Sequence, residues 1–120
     1  MKDIEGREDI DLLVDTFYGK VQKDAVIGPF FNDVAKVNWD EHLPHLKDFW
    51  EAGLFHTVGF KGNIIKTHQD LNAKSSMKKE HFDHWVALFS GTVDKLFQGP
   101  NAEAAKRKAW SMSVVIQMKI

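Results

Sequence analysis

Cysteine is absent from the 120 residues, which excludes a disulfide framework, a thiolate metal site and a cysteine nucleophile, and suits a reducing compartment. An excess of charge of one sign is missing too: 16 basic residues stand against 17 acidic ones, a formal net charge of −1. Lys and Arg are scattered along the chain, so the electrostatics favour neither nucleic acid nor an anionic membrane surface. No apolar run approaches membrane-spanning length. The opening residues, Met1-Lys2-Asp3-Ile4-Glu5-Gly6-Arg7-Glu8-Asp9, are polar and acidic where a signal peptide needs an apolar stretch. The expectation is a cytoplasmic protein. Repeats and low-complexity tracts are lacking and strand signals are few, so the length fits one domain over residues 1–120.

What remains is a chain of helix-period segments rich in large rings. Ile10, Leu13, Val14, Phe17, Tyr18 and Val21 follow the i, i+3, i+4, i+7, i+8, i+11 pattern of one buried face, predicting a helix of about five turns that ends near Lys23. Gly28-Pro29 breaks the chain before Phe30-Phe31-Asn32, read as a short turn or single helical turn. A second helix is predicted to start between Asn38 and Glu41 and to run to about His56. His42, Leu46, Phe49 and Trp50 share one of its faces. Pro44 constrains that start, because proline leaves no vacant hydrogen bond only in the first turn; an earlier start implies a kink.

Gly53, Gly59 and Gly62 predict an irregular connection to a short helix. A polar loop is expected over Asn72-Ala73-Lys74-Ser75-Ser76, followed by a long helix striped with Phe82, Trp85, Leu88, Phe89, Thr92, Val93, Leu96 and Phe97. Gly99-Pro100 ends it. Asn101 is the expected N-cap of a last helix, whose Ala105, Ala109, Met112 and Ile116 stripe starts with small residues that permit close packing. Composition and period give an all-α domain of four substantial helices and two short ones, with a bundle and a globin-like sandwich both open.

His68 stands out among the polar residues. In the short helix, Ile64, Ile65, His68 and Leu71 share one face, so the imidazole points inward and needs a partner. A lone inward histidine is usually a core residue bonded to backbone or water. In a chain with nine Phe and Trp39, Trp50, Trp85 and Trp110, a haem whose iron takes the imidazole as proximal ligand is the other reading.

Six fragments then occur in register. Phe17-Tyr18, Gly28-Pro29-x-Phe31, Trp39-x-x-His42, Phe49-Trp50, the His68 helix and His81-Phe82-x-x-Trp85-x-x-Leu88-Phe89 resemble, in order and spacing, the truncated haemoglobins, and specifically their group III. The resemblance covers nearly the whole chain. It implies a two-over-two helical sandwich enclosing haem b (iron protoporphyrin IX), with one antiparallel pair running from Asn38 toward the His68 region and the other formed by the helices at either end of the chain. It implies His68 as the iron ligand and Tyr18, His42 and Trp85 as hydrogen-bond donors on the opposite haem face. Phe17, Phe31, Leu46, Phe49 and Trp50 would line the pocket.

Tyr18 and Trp85, in longer helices, are the expected fixed polar pair, and His42 beside Pro44 the movable gate, with direct iron coordination by His42 left open. The family often carries an arginine before the indole, where this chain has His84. That leaves the propionate anchor open, with His45, Lys47 and Lys66 as candidates.

The function so implied is binding of O2, NO, peroxide or similar small ligands at a five-coordinate iron. Turnover of nitric oxide with oxygen to nitrate, or of peroxide, would depend on an unidentified external reductase. No nucleic-acid or membrane partner is expected. Two alternatives of other classes stand beside this reading. A non-haem metal-binding four-helix bundle would use the i, i+3 pairs His42/His45 and His81/His84, although Glu-x-x-His spacing is absent at every histidine. A cofactor-free helical interaction module would leave Tyr18, His42, His68 and Trp85 without a shared purpose.

Overall fold

The apolar stripes become five helices and one π-helical turn in the computed structural model of the chain, which describes residues 1–56 and 64–120, with only the backbone of Ile64. Helix α1 spans Arg7–Lys23, α2 Trp39–Phe55, α3 Ile64–Lys74, α4 Lys79–Leu96 and α5 Pro100–Lys119. All six stripe residues of α1 are buried. Glu8 and Asp9 in its first turn and Lys20 and Lys23 in its last suit the helix dipole. The segment after Gly28-Pro29 is wider than an α-turn: over Phe30–Val34 it is π-helical, closed by Ala35 N–H donating to the Phe30 carbonyl at 2.9 Å.

Asn38 caps α2, its side chain accepting from the Asp40 N–H at 3.1 Å. The early start places Pro44 inside the helix, so the Asp40 carbonyl loses its intrahelical donor there. Gly53 does not interrupt α2 but lies within it. A Cβ at Gly53 would clash with the Lys108 side chain, whose ammonium sits 5.3 Å from the Phe49 ring centre, so glycine lets α5 lay a lysine stem across α2. His56, in the left-handed region at φ 58°, ends the helix. Gly59 and Gly62 lie outside the described residues. Helix α3 takes up Asn72, Ala73 and Lys74 from the expected loop, and Asn72 accepts from the Met77 N–H at 2.8 Å.

Helix α4 packs on α5 and α1 on α2, while α1 also meets α4, and α2 and α3 meet α5. The pairs therefore differ from the expected ones, because the helices at the two ends of the chain do not form a pair. The reason is connection length: only Phe97, Gln98 and Gly99 link α4 to α5, which folds one back on the other. The shared core holds Ile4, Phe17, Trp50, Phe89 and Val93 fully buried, with Ala105 and Ala109 fully buried on α5 where it packs closest. No helix among the described residues is long and apolar enough to cross a membrane.

The cap of α5 is not Asn101. Gly99 occupies the cap position with φ 147°, and Asp3 supplies the oxygens, accepting from the Asn101 and Ala102 N–H groups at 2.9 and 2.8 Å. Asn101 instead donates its amide to the Ile4 carbonyl at 2.7 Å, fastening the amino-terminal strap. Burial alone would raise the Asp3 carboxyl, but the N–H groups of Asn101, Ala102 and Ile4 outweigh it and hold the group below the usual carboxylate range.

Asp3→Ala should therefore lower stability by about 1 kcal/mol at neutral pH, and Asp3→Asn by less, as read from urea unfolding. Because the folded value is depressed, the contribution is present above the ordinary pKa of 3.8 and lost as pH falls through the folded value. The gap between wild type and Asp3→Ala should close in acid.

Candidate functional site

The one tyrosine of the chain marks the site. Tyr18 is 4% exposed, placed by the α1 stripe against a ring of its own helix and rings from two other elements. Its ring centre lies 4.7 Å from Phe17, 5.9 Å from Phe31 on the π-turn, and 5.8 and 6.5 Å from Trp39 and His42 on α2. Most of these contacts are edge-to-face, the favoured arrangement for ring quadrupoles. Burial pushes the phenol well above its ordinary value of 10.0, and a hydrogen bond with the Trp85 side chain only partly offsets this. Tyr18 is therefore a neutral phenol. The indole N–H of Trp85 can only donate, so the phenol oxygen accepts from it and the phenol proton remains available.

Trp85 is held by the rings beneath it. It stacks on Phe89 at 5.5 Å and 7°, Phe89 stacks on Trp50 at 4.7 Å and 13°, and Phe17 meets both Trp85 and Phe89 edge-on at 5.6 and 5.1 Å. Phe17 and Trp50 are thus core residues at 0% and 1% exposure. Leu46 and Phe49 are half-buried and packed against that core. His42 is half-buried, and burial followed by repulsion from His45 holds its imidazole below the ordinary 6.5, favouring the neutral ring. A depression of about 270 Å³ beside it is lined by Val37, Asn38, Glu41, His42 and His45.

The Trp39-x-x-His42 spacing by itself gives Trp39 no role. In the structure its ring stacks on Phe31 at 5.8 Å and meets His42 at 5.6 Å, while its N–H donates to the Asn32 side chain at 3.3 Å. Its position three residues before His42, one turn away on the same face, was the available signal.

His68 lies on α3 among the half-buried positions Ile65, Leu71 and Asn72, with Lys66, Thr67, Gln69 and Asp70 exposed. His68 thus lies on the half-buried side of α3. Gln69 donates to the Lys119 carbonyl at 2.9 Å, tying α3 to the end of α5. Of the proposed propionate anchors, Lys47 pairs with Asp15 at 3.0 Å and Lys66 with Asp70 at 3.1 Å. His81 and His84 do not converge on a shared ligand: His81 accepts from the Lys78 N–H at 2.9 Å, and His84 bonds Asp24 at 2.7 Å. Among the described residues, no three His, Cys, Asp or Glu side chains come close enough to hold a metal ion.

Comparison with known proteins defines the class first. The whole chain superposes on 96% of the crystal structure of a group III truncated haemoglobin from Campylobacter jejuni, with a TM-score of 0.86 at 26% identity, so the architecture is that of a truncated globin. A curated relative, the group 3 truncated hemoglobin ctb of Campylobacter jejuni, is 31% identical over 94 residues, covering 76% of this chain and 72% of the relative. The chain belongs to the group III truncated haemoglobins. No protein-family model matches it.

Because the chain has one tyrosine, its alkaline titration reports on Tyr18 alone. Ultraviolet difference spectra should show no phenolate up to about pH 11 while the fold persists, against half-ionisation near 10 in urea. The raised folded value means that Tyr18 weighs against the fold as pH rises above 10, so stability should fall there, and less so in Tyr18→Phe.

Proposed function

We propose that the protein is a haem protein that binds O2 and other small ligands such as NO or peroxide, acting in the cytoplasm with haem b as cofactor. The observation that carries this reading is the convergence of three neutral donors, Tyr18, Trp85 and His42, from three helices onto one cluster of rings. Such a donor set, together with a histidine on the half-buried side of a separate helix, fits the two unlike faces of a haem. When bound, the haem supplies an iron at which a diatomic ligand binds and gains negative charge.

The chain's own residues then divide the work. His68 would hold the iron through Nε2, and its Nδ1–H would donate to a backbone carbonyl one turn back and fix the ring. The Tyr18 hydroxyl donates to the negative charge, and the Trp85 indole fixes the phenol from the other side. His42, kept neutral, holds one N–H and one acceptor lone pair and sits where the depression beside α2 meets the cluster, which suits a gate. Phe17, Phe31, Leu46, Phe49 and Trp50 exclude water, so each hydrogen bond to the ligand is worth more than it would be in solvent. His45, Lys47 and Lys66 stay the propionate candidates, with Lys47 and Lys66 each within reach of a carboxylate, Asp15 and Asp70.

Strong donors slow ligand release, which favours ligand stabilisation and turnover over rapid delivery. Conversion of nitric oxide and oxygen to nitrate, with the electron returned by an external reductase, is the turnover that this reading supports, with peroxide consumption beside it.

Purified protein should be red with an intense Soret band. His68→Gly should lose that band or regain it only with added imidazole, whereas a colourless wild type that takes up no haem would overturn the reading. Tyr18→Phe should raise the oxygen dissociation rate roughly tenfold or more, the equivalent of about 1.5–3 kcal/mol for a hydrogen bond to charge. Slow reaction of the oxygenated protein with nitric oxide, with no peroxide consumption, would remove the turnover and leave binding.

A further inference from the structure

His84, the residue before Trp85 on α4, has a specific partner on α1. Its Nε2 lies 2.7 Å from the Asp24 carboxylate, which can only accept, so the imidazole N–H donates. Asp24 closes α1 and is immobilised on its own side. Its N–H donates to the Val21 carbonyl at 3.1 Å, and its carboxylate also accepts from the Val26 and Ile27 N–H groups at 2.8 and 3.0 Å. Only 17% of the Asp24 side chain is exposed. A carboxylate so fixed cannot follow its partner; the partner must come to it.

One end of this bond adjoins a distal donor, and the other closes the helix that carries the second. His84 directly precedes Trp85 on α4. Asp24 follows Tyr18 by six residues on α1, about 9 Å along a helix. Another polar tie between the same helices, Lys20 donating to Thr92 at 3.2 Å, lies further along α4. The first turn of α4 is also attached to the π-turn by the edge-to-face contact of Phe30 with His81 at 4.9 Å. The rotation of α4 against α1, which decides where the indole N–H meets the phenol oxygen, is therefore held near Trp85 by Asp24–His84.

We infer that Asp24 and His84 are a positioning pair that sets the Tyr18–Trp85 contact and, through it, the strength with which Tyr18 donates to a bound ligand. The inference rests on the haem reading above for its ligand half and on the protein alone for its geometric half. Loss of the His84 bond frees α4 to turn, the indole leaves the phenol oxygen, and the phenol proton loses its fixed direction. A merely structural ion pair would change stability without moving either the Trp85 signal or the ligand kinetics.

The test uses the full chain with and without haem. The Trp85 indole N–H resonance, assigned with Trp85→Phe, should shift in His84→Leu and in Asp24→Asn. Asp24→Asn keeps an oxygen for the Val26 and Ile27 N–H groups and serves if His84→Leu fails to fold. In the haem-loaded protein both variants should raise the oxygen dissociation rate, by up to about tenfold, and move the C–O stretching band of the carbon monoxide complex. His84→Gln, which keeps a donor, should restore most of both. An unmoved Trp85 resonance in folded His84→Leu or Asp24→Asn overturns the positioning role. Tyr18→Phe, run in parallel, separates the two readings. If it speeds oxygen release and the His84 and Asp24 variants do not, the pair has no bearing on the ligand and the inference fails alone. If Tyr18→Phe leaves release unchanged, the donor assignment itself fails, and with it the ligand half.

Discussion

The structure turns on one buried hydroxyl. A phenol taken out of water and left without a partner costs several kcal/mol on transfer scales, roughly 1–3 kcal/mol by protein mutagenesis, so Tyr18 can be buried only where something meets its oxygen. The Trp85 indole does so. The rings continue from there: Trp85 lies flat on Phe89, and Phe89 lies flat on Trp50 of α2. The phenol thus sits at the end of a ring stack that runs through three helices, and the apolar stacking supplies most of the energy that holds them together.

The sequence reveals faces more readily than partners. The α1 stripe was legible because all six of its positions repeat at helical period with no polar interruption, and all six are buried. The start of α2 was legible from Asn38. The pairing of helices was not, since periodicity says which face is buried and not what buries it. The Asp3 cap of α5 was hidden for a stronger reason: donor and acceptor are 98 and 99 residues apart, and Asn101 carries the local signature that Asp3 in fact satisfies. The π-turn at Phe30–Val34 has no composition of its own to announce it. At the site, the periodic pattern alone suggested only the inward turn of His68, and the grouping of Tyr18, His42 and Trp85 entered through resemblance to a family. The Asp24–His84 bond spans 60 residues, and neither residue lies on an apolar stripe, so no pattern could join them.

The two sides of the site are supported differently. Tyr18 and Trp85 belong to helices of 17 and 18 residues anchored by fully buried rings. His68 belongs to a helix of 11 residues that meets α5 and the π-turn, and Gln69 ties it to the very end of α5. On the reading proposed above, the donor face is stiff and the iron-holding face is suspended between a π-turn and a helix terminus. Stiffness where direction matters and compliance where a metal must shift on ligand binding is a workable division for a reversible ligand site.

Several cationic side chains are engaged away from Tyr18, and this bears on what such a site would select. Lys47 and Lys66 are engaged with Asp15 and Asp70, Arg7 with Asp48 and Glu51 at 2.9 and 3.1 Å, and Lys108 lies against the Phe49 ring. The groups that face Tyr18 are neutral: an indole, an imidazole held below its ordinary pKa, and hydrocarbon rings. Fixed dipoles in a water-poor cluster stabilise charge that develops on a ligand after it arrives, yet exert little pull on an anion in solution. A cationic pocket would do the reverse and fill with anions. On the reading proposed above, the neutral donor set would favour small uncharged molecules that become negative only on binding.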